Sequence, residues 1–279
     1  MRTIQTEGIA LRLEEMILSA QYDTPQDLSR SLDDALSGER SHLGVAALKQ
    51  IVESRAISHA QRLAICQDTG LCVVFADIGQ DVHLAGAYFE DAVNGAVRRA
   101  YEGLRKSAVR DPLFERQNTR DNTPAVIHAR IVPGDRLRLL VICKGFGSEN
   151  KSRIGMLSPS DGVQGVRDFI VETARLAGAS ACPPLILGAC VGGSFEQAAL
   201  WAKRMTAQPL DRPNPDPRYA ALERETLDAI NALGIGPAGF GGVCTALKVS
   251  ICALPTHIAG LPVAVNVCCH ASRHAEAEL

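Results

Sequence analysis

Residues 65–78 read ICQDTGLCVVFADI, and the predicted secondary structure of the chain changes within this stretch. Its first part, Cys66 to Gly70, is a polar segment closed by glycine, which is typical of a tight loop. Its second part, Leu71 to Ile78, is an apolar run with β-branched and aromatic residues, which predicts a β-strand. We therefore expect different structure on the two sides of this stretch.

The residues before this stretch are predicted to be helical. Thr24 and Pro25 have the pattern of an N-cap followed by proline at the first helical position, and leucines follow at helical spacing. A second apolar helix is predicted over 43–63. We therefore predict one domain over residues 1–279, with a helical N-terminal segment of about 1–63.

The residues after this stretch mix helices and strands. A helix is predicted over 162–176, and Ser194 with glutamine three residues later predicts the start of another. The runs 125–132 and 137–143, joined by a Pro-Gly-Asp segment, predict a β-hairpin. Because helices and strands do not alternate strictly, we predict an α+β (mixed α/β) fold, a helical N-terminal part followed by mixed sheets packed with helices.

Composition and charge exclude several classes of protein. The 279 residues are 46% hydrophobic and 22% charged, so a packed core is expected. The formal net charge is −2, which leaves no cationic excess to attract nucleic acid or an anionic membrane surface. No apolar run approaches the ~18 residues of a transmembrane helix, and the N-terminus lacks the apolar core of a signal peptide. We expect a cytoplasmic protein with neither nucleic-acid nor membrane partners.

The chain contains nine cysteines, and this odd number without a predicted secretion signal favours reduced thiols or metal ligands over disulfides. The absence of a C-x-x-C pair counts against zinc ribbons, thioredoxin-like sites and ferredoxin-type clusters. Cys66, Cys182 and Cys269 stand out because they adjoin a polar loop, a Pro-Pro pair and the end of an apolar strand. Their wide separation alone is equally consistent with buried thiols at the ends of elements.

Four strings, taken in order, carry a resemblance to a known family. They are CQDTG at 66–70, KGFGSENKS at 144–152, ACPP at 181–184 and VAVNVCCHASRH at 263–274. From about residue 40 onwards, the chain resembles the α chain of class I fumarate hydratases, a family that includes L-tartrate dehydratase α subunits.

The resemblance implies an oxygen-sensitive [4Fe–4S] cluster held by Cys66, Cys182 and Cys269. Cys268 is adjacent to the third ligand, but members of the family usually carry one cysteine, at the position of Cys269. In a strand the two side chains would point to opposite faces. Three thiolate ligands leave one iron open, and that iron can act as a Lewis acid on a substrate.

The resemblance also implies a set of substrate-binding residues, which are Gln67, Asp68, Arg105, Gly147 and His257. Arg105 would hold a carboxylate, and Gly147 would let the backbone approach the ligand. Each has a structural alternative, such as a helix-dipole partner for Arg105, an Asx turn for Asp68 or an ordinary histidine for His257. Phe146 replaces a glycine of the family's loop, so its side chain either reshapes the pocket or turns outward.

The function implied is that of the α subunit of a hydro-lyase that hydrates fumarate reversibly to malate, a small dicarboxylate of the tricarboxylic acid cycle. A separate β subunit would supply the acid/base group in an α₂β₂ assembly, because the chain ends shortly after Cys269. Ser148, Glu149 and Asn150 favour fumarate, while L-tartrate dehydration and mesaconate hydration remain alternatives. Two other classes stay open: a non-catalytic iron–sulfur redox or sensor protein, with Cys268 as fourth ligand, and a metal-free structural subunit.

Overall fold

The computed structural model describes residues 2–279 and shows the predicted α+β fold. The helices are α1 (Thr6–Tyr22), α2 (Gln26–Gly38), α3 (His42–Gln61), α4 (Phe89–Ala100), α5 (Phe146–Glu149), α6 (Gly162–Ala177), α7 (Phe195–Met205) and α8 (Pro217–Asn231). The strands are β1 (Arg2–Gln5), β2 (Leu71–Gly79), β3 (Val82–Ala85), β4 (Val126–Val132), β5 (Leu137–Lys144), β6 (Arg153–Leu157), β7 (Leu185–Gly192), β8 (Ala246–Leu254), β9 (Leu261–Cys268) and β10 (His274–Glu278). Within the described residues, no helix is both long enough and apolar enough to cross a membrane.

The chain divides into two compact units. Unit 1 comprises Met1–Thr24, Ile57–Phe146 and Arg273–Leu279, and unit 2 comprises Pro25–Ala56 and Gly147–Ser272. The prediction that residues 1–279 form a single domain is not tested by this division into units and stays a prediction.

Unit 1 is built on a four-stranded sheet with the order β10-β5-β2-β4. One face of this sheet packs against α1 and α4 in a core that includes Leu13, Ile17, Val74, Val93 and Val141. These side chains are almost fully buried, and each contributes about 1.5–3 kcal/mol of hydrophobic stabilisation. A smaller parallel pair of β1 and β3 belongs to the same unit.

The predicted hairpin is wrong in its pairing, although both of its strands exist. Strand β2 lies between β4 and β5, parallel to the first and antiparallel to the second. Residues 72–77 of β2 are buried on both faces, whereas β4 is largely exposed. A strand that is apolar on both faces is stabilised most at the centre of a sheet, so β2 displaces the local pairing.

Unit 2 is built on a second four-stranded sheet, with the order β6-β9-β7-β8. The core on one face includes residues of α6 and α8, such as Ile170 and Ile230, packed with Leu187 and Val265 of the sheet. Helix α7 covers the other face through Ala198 and Ala202. Strand β8 is an edge strand and pairs with β7 in parallel.

Local signals predict several helix ends correctly. Helix α6 ends at Gly178, whose φ of 52° suits glycine, and α7 begins with the expected capping box of Ser194 and Gln197. The start of α2 differs by one residue, because Pro25 takes the N-cap position and Thr24 lies outside. Asp27, in the first turn, instead accepts a hydrogen bond from the backbone N–H of Leu210 at 2.7 Å.

Candidate functional site

The CQDTG and KGFGS segments meet at one end of the unit 1 sheet. Strand β2 begins opposite the end of β5, with Leu71 paired to Lys144, and β10 begins opposite Ile142. The residues just before β2, just after β5 and just before β10 therefore lie at the same end of the sheet. This pairing accounts for the proximity of two motifs that are far apart in the sequence.

Buried polar side chains hold the CQDTG loop in place. The carbonyl oxygen of Thr69 accepts hydrogen bonds from Gln21 at 2.8 Å and from the Tyr101 hydroxyl at 2.9 Å. The carbonyl oxygen of Gly70 accepts one from Asn122 at 3.1 Å. Gln21, Tyr101 and Asn122 are fully buried. Because an unpaired buried polar group is costly, these contacts fix the loop backbone strongly.

Gly70 is required by the same loop. Its φ is +77°, and a Cβ atom there would lie 2.6 Å from the backbone carbon of Lys144. Only glycine avoids both the strained backbone and this overlap. The loop therefore passes directly over the end of β5.

Asp68 and Arg273 connect the loop to its neighbours. The Asp68 carboxylate accepts hydrogen bonds from the backbone N–H of Gly70 at 3.0 Å and of Phe146 at 2.7 Å. The Arg273 guanidinium donates to the carbonyl oxygen of Asp68. A Cβ atom on Gly145 would lie 2.9 Å from Arg273 Nη2, so this glycine leaves room for the guanidinium. Asp68 thus forms an Asx turn, and this structural role is compatible with its predicted role in substrate binding.

Arg273 is a residue of this site that sequence reasoning missed. It is 3% exposed and its Nε has no hydrogen-bond partner among residues 2–279. Burying a guanidinium requires compensating polar contacts, which here come from the Asp68 carbonyl and from Gln21 Oε1 at 3.4 Å. The signal was available, since Arg273 lies within the string VAVNVCCHASRH.

The remaining unit 1 residues of the predicted site are more exposed. Cys66 is a partly exposed free thiol that contacts Gln67 Oε1 at 3.5 Å, and Gln67 itself is exposed. Arg105 is also exposed, and its backbone carbonyl accepts a hydrogen bond from Thr69 Oγ1 at 2.7 Å. The structure therefore connects Arg105 to the CQDTG loop through its backbone and leaves its guanidinium in solvent-accessible surroundings.

Cys182 and Cys269 lie at one end of the unit 2 sheet. Strands β7 and β9 are antiparallel with Ile186 opposite Cys268, so the start of β7 adjoins the end of β9. Cys182 comes shortly before β7 and has a left-handed backbone with φ 56°, while Cys269 directly follows β9. Neither forms a disulfide; Cys182 is exposed and Cys269 is partly exposed.

Cys268 and Cys269 have different surroundings. Cys268 is 5% exposed and packs in an apolar cluster with Leu28, Leu48 and Ile186. Cys269 is outside this cluster and is partly exposed. The backbone thus directs the two thiols differently, as the alternation of a strand predicts.

A buried arginine lies beside these two cysteines. Arg55 donates a hydrogen bond to the carbonyl oxygen of His270. Burial lowers the pKa of Arg55 to about 10, against the opposing effect of the charges of Cys269 and Cys268. Burial and the Arg55 charge lower the pKa of His270 to about 4, so His270 is neutral at pH 7. A cation held here favours negative charge on neighbouring sulfur atoms.

Gly147 and Phe146 lie in the short helix α5. A Cβ atom on Gly147 would meet no atom within 4 Å, so the space beside this glycine is open. The Phe146 side chain is 44% exposed while its backbone N–H is held by Asp68. The Phe146 side chain thus lies partly in solvent, and both alternatives, a reshaped pocket and an outward-turned side chain, stay predictions.

Glu149 ties α5 to the rest of unit 2. Its carboxylate pairs with Lys203 of α7 and accepts a hydrogen bond from Asn266 Nδ2 of β9 at 2.9 Å. These residues line a cavity of about 180 Å³ together with Arg153. Asn266 Oδ1 and Arg153 Nη1 are buried there without hydrogen-bond partners among residues 2–279.

His257 is not close to the other unit 2 residues of the predicted site. It lies in the loop from β8 to β9, which adjoins the end of β7, whereas Cys182 precedes the start of β7. A strand of eight residues separates the two ends by roughly 26 Å. His257 lines a mainly apolar cavity of about 400 Å³ with Tyr219, Leu222 and Ile258. Its contact with a substrate stays a prediction.

The thiols fit the chemistry of an iron–sulfur cluster, although no group of three or more His, Cys, Asp and Glu side chains among residues 2–279 is arranged to hold a metal ion. The thiols of Cys66, in unit 1, and of Cys182 and Cys269, in unit 2, form no disulfide and are at least partly exposed. Thiolates are the usual ligands of such clusters. Of the other six cysteines, Cys252 alone is not buried.

The chain is thus an α+β protein with a polar loop, held by buried side chains, next to a partly exposed thiol, and with two further accessible thiols at one end of its second sheet. A family model described as "Fumarate hydratase (Fumerase)" matches residues 11–278. The chain belongs to this family, in the class I group that includes L-tartrate dehydratase α subunits.

Similar proteins carry a more specific name. The chain is 33% identical over 273 residues to a "Putative L(+)-tartrate dehydratase subunit alpha" of Methanocaldococcus jannaschii, covering 94% of both chains. It is 30% identical over 272 residues to the "L(+)-tartrate dehydratase subunit alpha" of Escherichia coli K12, covering 95% of this chain and 88% of the relative. The protein of the same name from Shigella sonnei matches to the same extent.

Proposed function

We propose that the chain is the α subunit of a [4Fe–4S]-dependent hydro-lyase that acts on a four-carbon dicarboxylate. Cys66, Cys182 and Cys269 would hold the cluster. Membership of the fumarate hydratase family supports the reaction class, and the names of the relatives support the assignment as an α subunit with a β-subunit partner. We also propose a cytoplasmic location, where the cysteines would stay reduced.

One observation carries the choice of ligands: Cys66, Cys182 and Cys269 are at least partly exposed at loop positions, in contrast to the core position of Cys268. A cysteine packed among leucines would have to leave the core to bind iron, at the cost of a cavity. Cys269 needs no such change, and Arg55 beside it favours the anionic thiolate. When bound, a cluster with three protein ligands supplies an open iron that acts as a Lewis acid on the substrate.

The protein's own residues would bind and orient the substrate. The Arg105 guanidinium suits a substrate carboxylate, because its planar donors match the two oxygens. Gln67 and Asp68 follow Cys66 directly, and Asp68 is held in position by two backbone N–H groups. The open space beside Gly147 admits a ligand close to the backbone. The acid/base group would come from the β subunit.

Two substrates are supported by different observations. The Ser148-Glu149-Asn150 sequence favours hydration of fumarate to malate, while the names of the relatives favour dehydration of L-tartrate. We keep fumarate as the first candidate. Assays of the purified αβ complex with fumarate, malate, L-tartrate and mesaconate would rank them by kcat/KM. Turnover of none of the four would overturn the proposed reaction.

The cluster is tested by counting iron and acid-labile sulfide after anaerobic reconstitution. We expect about four irons per chain, with loss of most of the iron in the Cys66→Ser, Cys182→Ser and Cys269→Ser variants. Cys268→Ala is the matched control, since it changes the neighbouring cysteine in the same strand end. It is expected to keep its iron, and loss of iron in Cys268→Ala with retention in Cys269→Ser would overturn the assignment.

The same experiment distinguishes a non-catalytic redox or sensor protein. Such a protein would use four thiolate ligands, and the core position of Cys268 speaks against its being the fourth. Addition of malate or L-tartrate should change the electron paramagnetic resonance spectrum of the reduced cluster if one iron is open. An unchanged spectrum with both compounds would favour the sensor.

A further inference from the structure

Two cysteines of unit 2 that the proposed function does not use face each other across neighbouring strands. Cys190 of β7 and Cys252 of β8 are direct register partners, so their side chains lie on the same face of the sheet. Neighbouring strands are about 4.8 Å apart, which is within the Cα separation found in disulfides. The Cys252 thiol donates a hydrogen bond to the carbonyl oxygen of Ala189, the residue before Cys190, at 3.6 Å.

One thiol of this pair is accessible to an oxidant in solution. Cys252 is partly exposed on the edge strand β8, while Cys190 is completely buried on the adjacent inner strand β7. The contact between the two thiols lowers the pKa of Cys190 and raises the pKa of Cys252. The reactive thiolate is therefore favoured at the buried member of the pair, while access to solvent lies at the other.

A second pair provides an internal comparison. Cys72 and Cys143 are register partners on the antiparallel strands β2 and β5. Both are buried in the core of unit 1, and burial raises the pKa of each thiol. They are register partners like the first pair, but they lie on antiparallel strands and lack its access to solvent. We therefore expect this second pair to resist oxidation more than the first.

We propose that Cys190 and Cys252 are a site of reversible oxidation that forms a cross-strand disulfide. With hydrogen peroxide as oxidant, two thiols and one peroxide give one disulfide and two water molecules. The O–O bond and two S–H bonds break, an S–S bond forms, and sulfur is oxidised while oxygen is reduced. A dithiol reductant reverses the reaction by thiol–disulfide exchange.

The expected consequence is a covalent link between the inner strand β7 and the edge strand β8. Trp201, the chain's single tryptophan, packs in the same apolar cluster as Cys190 and Cys252. Its fluorescence should therefore report the reaction. We expect an emission change on oxidation that a dithiol reductant reverses.

The linkage is tested by mass spectrometry of the full chain after peroxide treatment and blocking of free thiols. Trypsin releases peptides 176–203 and 249–273, which hold Cys190 and Cys252 together with other cysteines. Fragment ions should place the link on Cys190 and Cys252, with a mass about 2 Da below the sum of the two reduced peptides. The link should disappear after reduction and in the Cys252→Ser and Cys252→Ala variants.

Two further variants serve as controls. The Cys182→Ser/Cys269→Ser double variant should keep the link, because it removes two of the three other thiols in these peptides and leaves only Cys268, which is buried. Cys72→Ser should also leave the link unchanged. The proposal is overturned if wild-type protein forms no link between Cys190 and Cys252, or if the Cys72–Cys143 pair oxidises as readily. Circular dichroism of the Cys252 variants establishes that loss of the link is not loss of the fold.

Discussion

Glu39 is a buried carboxylate that joins two distant segments of unit 2. It accepts hydrogen bonds from the backbone N–H groups of Arg40 and Ser41 at 2.8 and 2.9 Å. It also accepts bonds from Val243 at 3.0 Å and Cys244 at 3.1 Å. Burial raises the pKa of Glu39, but the four donors outweigh this and hold it below its ordinary value.

Glu39→Gln should therefore destabilise the protein by about 1–3 kcal/mol, because an amide NH₂ would face backbone donors. Since the folded pKa is the lower one, this contribution is complete above the unfolded pKa near 4.5. It is lost as the pH falls through the folded pKa. Urea unfolding at several pH values would show the free energies of unfolding of wild type and variant converging in acid.

The exposed Glu53→Gln is the control, and its free energy of unfolding should stay within about 0.5 kcal/mol of wild type. A constant difference between Glu39→Gln and wild type at all pH values would contradict the explanation.

Arg105 is the residue on which the proposed substrate binding depends most directly. Arg105→Lys keeps the charge but removes the two-pronged geometry, so we expect KM to rise by roughly tenfold, equivalent to about 1.4 kcal/mol. The nearby exposed Arg110→Lys should leave KM unchanged. Steady-state kinetics of the αβ complex provides the measurement. Equal KM values in the two variants would contradict a role of Arg105 in substrate binding.

Among the secondary-structure elements, α7 and β7 approach each other very closely on one face of the unit 2 sheet. A Cβ atom on Gly188 of β7 would lie 2.2 Å from the carbonyl oxygen of Ala202. This glycine therefore allows the helix to rest almost directly on the strand backbone. Lys203, the next residue of α7, reaches Glu149 from this position.

Gly188→Ala should lower the free energy of unfolding by about 1–3 kcal/mol or more, because the backbone of α7 must move. Gly8→Ala is the matched control, since Gly8 is exposed in α1 with no atom near its Cβ direction. It should stabilise the chain by about 0.5–1 kcal/mol through helix propensity. Thermal and urea unfolding would measure both changes. Similar effects of the two substitutions would mean that α7 is not packed as described.

For the molecule as a whole, the proposed function assigns the acid/base group to the β subunit. The isolated chain should be at least roughly hundredfold less active than the αβ complex, since general acid–base catalysis contributes about that much or more. Co-expression with its β subunit, followed by gel filtration and activity assays, tests this. Full turnover by the α chain alone would contradict the proposed division of labour. Iron content, measured in parallel, separates a lost partner from a lost cluster.

Local signals in the amino-acid sequence are sufficient to predict several features of this protein. Glycine at 178 and the capping box at Ser194 predict helix ends correctly, because these signals depend on neighbouring residues alone. The motif strings likewise predict the family. Three other features are visible only in the folded chain: β2 separates β4 from β5, Cys268 lies in the core, and Arg273 supports the CQDTG loop. Strand order and burial depend on contacts between residues distant in the chain, which local propensities do not specify.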